Sequence, residues 1–385
     1  MVDTRHLHTG VQVVAGLALN VFPAIFIAIY ARIAPIDTQG FLALALAIGV
    51  YIAQLLNAFV VEGRLATPDA HGELGLPLWV VLFTAGAAGL LIASPAVAPS
   101  AVLLASATGV MTGLLMSRSI GVVTGDWKRE GFGASALIVA SLLALWLAHV
   151  QNPHCVRVLA VGALLAVASR YRPGKGMPRQ GFPPDVRRSA WVTAETAVVG
   201  AVQPAITSVV LVLVGPAASV TFRIITTVAG AVEPILAYGR YRLLAHGHRG
   251  EIRSFVAVFA AGMAAVLIAA FGGLGSLVFG PAWANVGVVA LLLGALWKVF
   301  TLVSTVPFAA LRKAGMTVQV FWIRGASTIV YLVVSVAFLL VWKSTVAIFL
   351  AFALSELITA IVYHCAAVRG APEYAEDFRR RERQT

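Results

Sequence analysis

Apolar stretches long enough to cross a bilayer follow one another along this chain from residue 11 to residue 366. A spanning helix needs about 20 mostly apolar residues. Twelve spans are predicted: 11–32, 41–61, 76–95, 100–117, 132–149, 155–169, 191–214, 218–239, 254–279, 283–308, 319–342 and 345–366. Backbone polar groups cannot stay unpaired in lipid, so each must be a helix or belong to a closed barrel. The runs lack the in–out alternation of barrel strands. The expected class is therefore an all-α integral membrane protein. Only 11% of the residues are charged, against roughly a quarter in soluble domains.

The formal net charge is +12. In a soluble protein that excess would suggest nucleic acid, but in a membrane protein basic residues collect on cytoplasmic loops. With the N-terminus inside, 22 Lys and Arg residues fall on inside segments, and only Arg32, Arg157 and Lys343 fall at outside ends. Both termini are thus expected in the cytoplasm, and no nucleic-acid partner is expected. The first apolar stretch is too long for a cleavable signal. Cys155 and Cys365 stand alone, with no metal-ligand spacing.

The longest loop, 170–190, is basic and rich in Pro and Gly, and divides the spans six and six. The predicted organisation is an N-terminal lobe at 1–169, a cytoplasmic linker at 170–190, a C-terminal lobe at 191–366 and a charged tail at 367–385. Arg172-Pro173-Gly174-Lys175-Gly176 lacks the spacing and the Ser/Thr of a phosphate loop. Shifted by 181 residues, the first span lies on the seventh without a gap: Pro23-Ala24-Ile25 meets Pro204-Ala205-Ile206, Pro35 meets Pro216, and Phe41 meets Phe222. Two repeats of six spans share one topology and are expected to relate by an axis along the membrane normal.

Polar residues inside spans mark cavities or buried pairs, because an ionisable group in lipid costs several kcal/mol. The eighth span carries Arg223, Thr226, Thr227, Gly230 and Glu233 in one stripe, followed by Pro234. The tenth carries Lys298, Thr301 and Thr305. The eleventh carries Arg324, Thr328 and Tyr331, and the twelfth Glu356 and Thr359. Glu195 lies on the seventh. The first half is polar but barely charged at depth: Gln54 and Asn57 lie on the second span, with Arg64 at its inner end and Arg118 at the inner end of the fourth. Both halves are expected to line a central cavity whose cations lie mainly in the second. The bland reading is helix glue, with Arg32, Arg64, Arg118 and Arg324 snorkelling from helix ends. Pro23, Pro204, Pro234 and Pro307 interrupt backbone bonding and are either passive kinks or hinges. No HExxH, GxSxG or Cys/His pair occurs. The acidic residues assigned to loops, Asp69, Glu73, Asp126 and Glu130, are few and scattered, so no enzyme is expected.

Arg32-Ile33-Ala34-Pro35 through Gln39-Gly40-Phe41, with Glu62-Gly63-Arg64 closing the next span, resembles the opening of Wzx-type polysaccharide flippases. Val214-Gly215-Pro216 into Phe222-Arg223 repeats that pattern. Leu277-Val278-Phe279-Gly280-Pro281-Ala282-Trp283 resembles their loop before the tenth span, and Ala309-Ala310-Leu311-Arg312-Lys313-Ala314-Gly315 the basic turn after it. The resemblance covers nearly the whole chain. Its motifs are degenerate and point more firmly to the multidrug/oligosaccharidyl-lipid/polysaccharide (MOP) exporter superfamily than to one substrate.

The resemblance implies two six-helix lobes around a cavity, alternating access, and a bacterial inner-membrane location. It implies an undecaprenyl-diphosphate-linked oligosaccharide as cargo, a glycan polymerase or glycosyltransferases as neighbours, and a monomer as the working unit. Members of that family use basic cavity residues for the diphosphate; Arg223, Lys298 and Arg324, all in the second lobe, are the residues here that could play that part, with Arg64, Arg118, Gln54 and Asn57 as further substrate contacts. Glu233, Glu356 and Glu195 would carry any H+ or Na+ coupling; no other cofactor and no metal centre is implied. Twelve spans rather than fourteen disfavour lipid II as cargo. The alternatives are a cation-coupled multidrug exporter, which typically has a first-span carboxylate that this chain lacks, and a non-transporting scaffold of a glycan-assembly complex.

Overall fold

The structure, a computed structural model, describes residues 4–62, 77–92, 100–124, 126–170, 186–236, 251–314, 316–371 and 374. Arg64, the phosphate-loop-like segment 172–176 and nearly all of the tail lie outside the described residues. Among the described residues every regular element is helical. The helices are α1 (Thr4–Ile33), α2 (Ile36–Asn57), α3 (Pro77–Ile92), α4 (Ser100–Thr124), α5 (Trp127–His149), α6 (Cys155–Arg170), α7 (Val186–Gly200), α8 (Val202–Leu213), α9 (Pro216–Gly230), α10 (Glu251–Ala269), α11 (Gly275–Phe279), α12 (Val288–Lys313), α13 (Thr317–Trp342) and α14 (Thr345–Gly370).

Nine helical stretches among these residues are long and apolar enough to cross a membrane. Their apolar faces require it. On α13, Val318, Trp322, Ile329, Val333, Val341 and Trp342 are all exposed, a contiguous patch that water would not tolerate. Trp322 and Trp342 stand about 30 Å apart along the helix, the separation of the two interfacial belts where tryptophan collects. The chain is therefore a multi-pass membrane protein.

The predicted span at 155–169 appears as the helix Cys155–Arg170, and the described helical parts of the spans predicted at 76–95 and 218–239 include Pro77–Ile92 and Pro216–Gly230. The predicted start of the tenth span at 283 is corrected to Val288. A 3-10 turn holds Gly280–Asn285, and Gly287, in extended conformation, caps α12.

The four prolines fall into two classes. Pro23 and Pro307 lie inside the unbroken helices α1 and α12. At Pro204 and Pro234 the helix stops four residues earlier, at Gly200 and Gly230. Proline has no N–H to give the carbonyl four residues back. Where that carbonyl belongs to glycine, itself a poor helix former, the turn opens: Ala201 separates α7 from α8, and Ala231–Val232 separate α9 from one further helical turn at 233–236.

The chain divides into two compact units, residues 1–220 with 278–282, and residues 221–277 with 283–385. In the first, small residues let helices touch backbone to backbone, the usual device where lipid supplies no hydrophobic drive. Gly86 of α3 meets Gly109 of α4, and a methyl on Gly109 would strike the Leu82 carbonyl. The two repeat motifs also meet there, since a Cβ on Gly40 would lie 2.6 Å from Pro216 Cβ. Arg32 donates to the carbonyls of Ala28 (2.7 Å) and Val278 (2.6 Å). Gly280, at φ +57°, lets the Phe279-Gly280-Pro281 turn pass close under the guanidinium. In the second unit Val232, Leu236, Phe255, Phe259, Met263, Leu302 and Ala309 form one packed cluster. Phe308, Leu311, Val320 and Tyr363 form another.

Candidate functional site

The second unit gathers most of the charged residues expected to matter. Lys298, on α12, is 5% exposed. Its ammonium bonds the Glu233 carboxylate and lies 3.7 Å from the centre of the Trp297 ring. Glu233 follows directly on the break after Gly230, which places a carboxylate beside opened helical backbone. One turn before Lys298, Gly294 allows close approach to α9: a Cβ there would be 2.9 Å from Ile225 and 3.7 Å from Ala229. Beyond the break that follows Gly230, Glu233 then meets Lys298, one turn further along α12.

Aromatic rings wall this pair. Phe352 of α14 packs on Trp297 at 5.0 Å, on Tyr331 at 4.4 Å and on Phe222 at 5.8 Å between centroids. One turn beyond Phe352, Glu356 joins Ser304 of α12 at 2.6 Å. The Ser304 hydroxyl also lies 3.0 Å from the Thr301 carbonyl. A serine has one proton to donate, so it serves one of these acceptors at a time, unless Glu356 is itself protonated and donates to Ser304. The geometry thus accommodates a proton at Glu356.

Arg223 lies on α9, and its Nε is one of several buried arginine Nε atoms without a hydrogen-bond partner among the described residues. Its carbonyl accepts from Thr226 Oγ1 at 2.9 Å. Arg324 and Arg312 flank one ring, with guanidinium carbons 5.7 Å and 4.8 Å from the centre of Phe308.

In the first unit a cluster appears that the sequence reading did not anticipate. Glu130 is not a scattered loop residue. It lies in the first turn of α5, fully buried, and pairs with Arg170 through Nε to Oε1 at 2.9 Å and Nη2 to Oε2 at 3.2 Å. Arg118 lies within electrostatic reach of both. Its Nη2 lies over Gly16 of α1, 2.8 Å from where a Cβ would stand. Gly121 clears the space for the Glu130 carboxylate. The signal was the Asp126 cap, which accepts from the Arg129 amide at 3.4 Å and starts the helix before Glu130.

Of the remaining expected residues, Gln54 faces the α7–α8 break, since a Cβ on Gly200 would be 3.3 Å from its Oε1. Tyr51 donates to the Ala197 carbonyl there at 3.3 Å. Asn57 closes α2, and Glu195 lies on α7 with its side chain outside the described residues. Among the described residues no group of three His, Cys, Asp or Glu could hold a metal ion.

No family model matches the chain, and no curated protein matches it in sequence. Solved structures do match. An inward-facing multidrug resistance MATE family transporter of the MOP superfamily aligns over 95% of this chain and 96% of its own, at 13% identity and TM-score 0.52. An outward-facing MATE transporter aligns over 96% and 94%, at 15% identity and TM-score 0.46. A MOP superfamily transporter from Pyrococcus furiosus, described as having a binding pocket of reverse polarity, aligns over 96% and 94% at 14% identity and TM-score 0.44. At such identities the likeness is one of fold.

Proposed function

We propose that this chain, whose fold is that of a MOP-superfamily transporter, is a flippase for an anionic lipid-linked glycan. Its cargo is a polyprenyl-diphosphate oligosaccharide, moved from the cytoplasmic to the outer leaflet of a bacterial inner membrane. The observation that carries this reading is Arg223. Its buried Nε has no hydrogen-bond partner among the described residues, which is costly, and phosphate oxygens accept from arginine in the planar fork that its geometry matches. Lys298 plays a different part, because Glu233 already neutralises it. Arg324 adds positive charge within the same unit, and Arg118, Gln54 and Asn57 are assigned as further substrate contacts of the first unit. The breaks at Pro204 and Pro234 serve as hinges. Surface-glycan polymerases and glycosyltransferases are the expected neighbours, and a monomer the working unit.

A second reading, a cation-coupled multidrug exporter, has Glu356 and Glu233 in its favour. Against it, α1 contains no Asp or Glu along its whole length. Thermal stabilisation of the purified protein separates the two. An undecaprenyl-diphosphate sugar is expected to stabilise wild type and to lose that effect in Arg223→Ala. Stabilisation by a cationic dye alone would favour the exporter and sink the flippase reading. Each charge-assisted hydrogen bond contributes about 1.5–3 kcal/mol, so affinity should fall roughly 10- to 100-fold at 1.4 kcal/mol per decade.

A further inference from the structure

The Glu233 carboxylate carries a cation of its own. We propose that the Lys298 ammonium occupies a monovalent-cation site, built from Glu233, the face of Trp297 and the opened turn at Gly230–Pro234, and thereby keeps metal cations out of it. The parts of such a site are all present. Glu233 offers a carboxylate whose side chain is 43% exposed, where the Lys298 side chain is 6% exposed. Pro234 has no N–H to offer the Gly230 carbonyl, and carbonyls of interrupted helices are the backbone ligands that transporters present to small cations. The Trp297 ring gives its negative face at 3.7 Å, well inside the range of cation–π attraction. Phe352 fixes that ring at 5.0 Å.

Charge balance explains why a cation must sit there. Glu356 lies within electrostatic reach of Glu233, Lys298 and Arg324. Among the described residues Lys298 thus acts on both carboxylates, and Arg324 acts on Glu356 as well. Lys298 is nearly inaccessible, while its carboxylate partner is not. A buried lysine held in this way is a tethered counter-ion. A sodium or potassium ion would have to displace it against the full pairing energy and leave the ammonium buried and unpaired, a cost of several kcal/mol. Wild type is therefore indifferent to the alkali cation, and removing the lysine charge uncovers a site for one. This holds whichever cargo the chain moves, because it concerns the cation and not the substrate.

The test is thermal stability of purified full-length protein in NaCl, KCl, methylammonium chloride or choline chloride at one ionic strength. Wild type should melt at the same temperature in all four. Lys298→Ala should gain a saturable rise in NaCl or KCl and in methylammonium, which replaces the amputated ammonium, and none in choline, which is too large. Lys298→Ala/Glu233→Gln should lose the rise. If Lys298→Ala survives purification only in sodium, potassium or methylammonium, that is the expected effect in its strongest form. If it survives in none, Lys298→Gln takes its place, since the amide can still donate to Glu233. A sodium- or potassium-dependent rise in wild type overturns the proposal. So does the absence of any cation dependence in the lysine variants, or its persistence when Glu233 is also removed.

Discussion

Removing Glu130 alone is predicted to do more harm than removing the whole ion pair it belongs to. The side chains of Arg170 and Glu130 are 3% and 0% exposed, and two charge-assisted contacts at 2.9 and 3.2 Å join them. Glu130→Leu leaves the Arg170 guanidinium buried, with the like charge of Arg118 acting on it. Stranding one member of a buried pair costs about 3–5 kcal/mol, whereas replacing both by apolar groups of similar volume is close to neutral. Glu130→Leu/Arg170→Met should therefore recover most of what Glu130→Leu loses, with a coupling energy of about 2–4 kcal/mol. Cys155, fully buried at the start of α6, supplies the assay. In a Cys365→Ser background, a thiol-reactive dye reports the temperature at which α6 opens. Losses that simply add in the double variant would refute the ion-pair account and leave Glu130 as ordinary packing.

Other predictions follow from single contacts. Gly121→Ala pushes a methyl into the Glu130 carboxylate and should lower stability by about 1–3 kcal/mol, an effect that shrinks when Glu130 is already leucine. Gly280→Ala places a side chain at φ +57° beneath Arg32 and should cost about 1–3 kcal/mol in the same dye assay. Pro234→Ala restores an N–H to the helix and should preserve or raise the melting temperature while slowing transport. A variant that transports at the wild-type rate would show that the break is not a hinge.

The spans were legible because lipid imposes them: a chain that must satisfy its own backbone over about 30 Å writes that demand as apolar length. Their exact extents were less legible. Pro23 and Pro204 occupy equivalent repeat positions, yet α1 runs on through the first while the helix breaks before the second. A glycine four residues upstream makes that difference, and reading it requires pairing two weak local signals. Lys298 and Glu233 were each recognised as costly, but their partnership spans 65 residues and exists only once Gly294 lets α12 approach α9. Glu130 was misjudged because its span was started at 132, past the Asp126 cap. An acidic residue in the first helical turn then looked like loop. Arg223 was named as a candidate from its place inside a span. That its Nε finds no hydrogen-bond partner among the described residues is a fact of packing that no spacing in the sequence encodes.

The central claim is that the chain moves a lipid diphosphate past Arg223. The direct measurement is leaflet exchange of a fluorescent undecaprenyl-diphosphate oligosaccharide in proteoliposomes, comparing wild type, Arg223→Ala and Arg223→Lys. Wild type should exchange the lipid, Arg223→Ala should fall at least about tenfold, in line with the loss of one charge-assisted contact, and Arg223→Lys should lie between. No exchange by wild type, or Arg223→Ala exchanging at the wild-type rate, would contradict the claim.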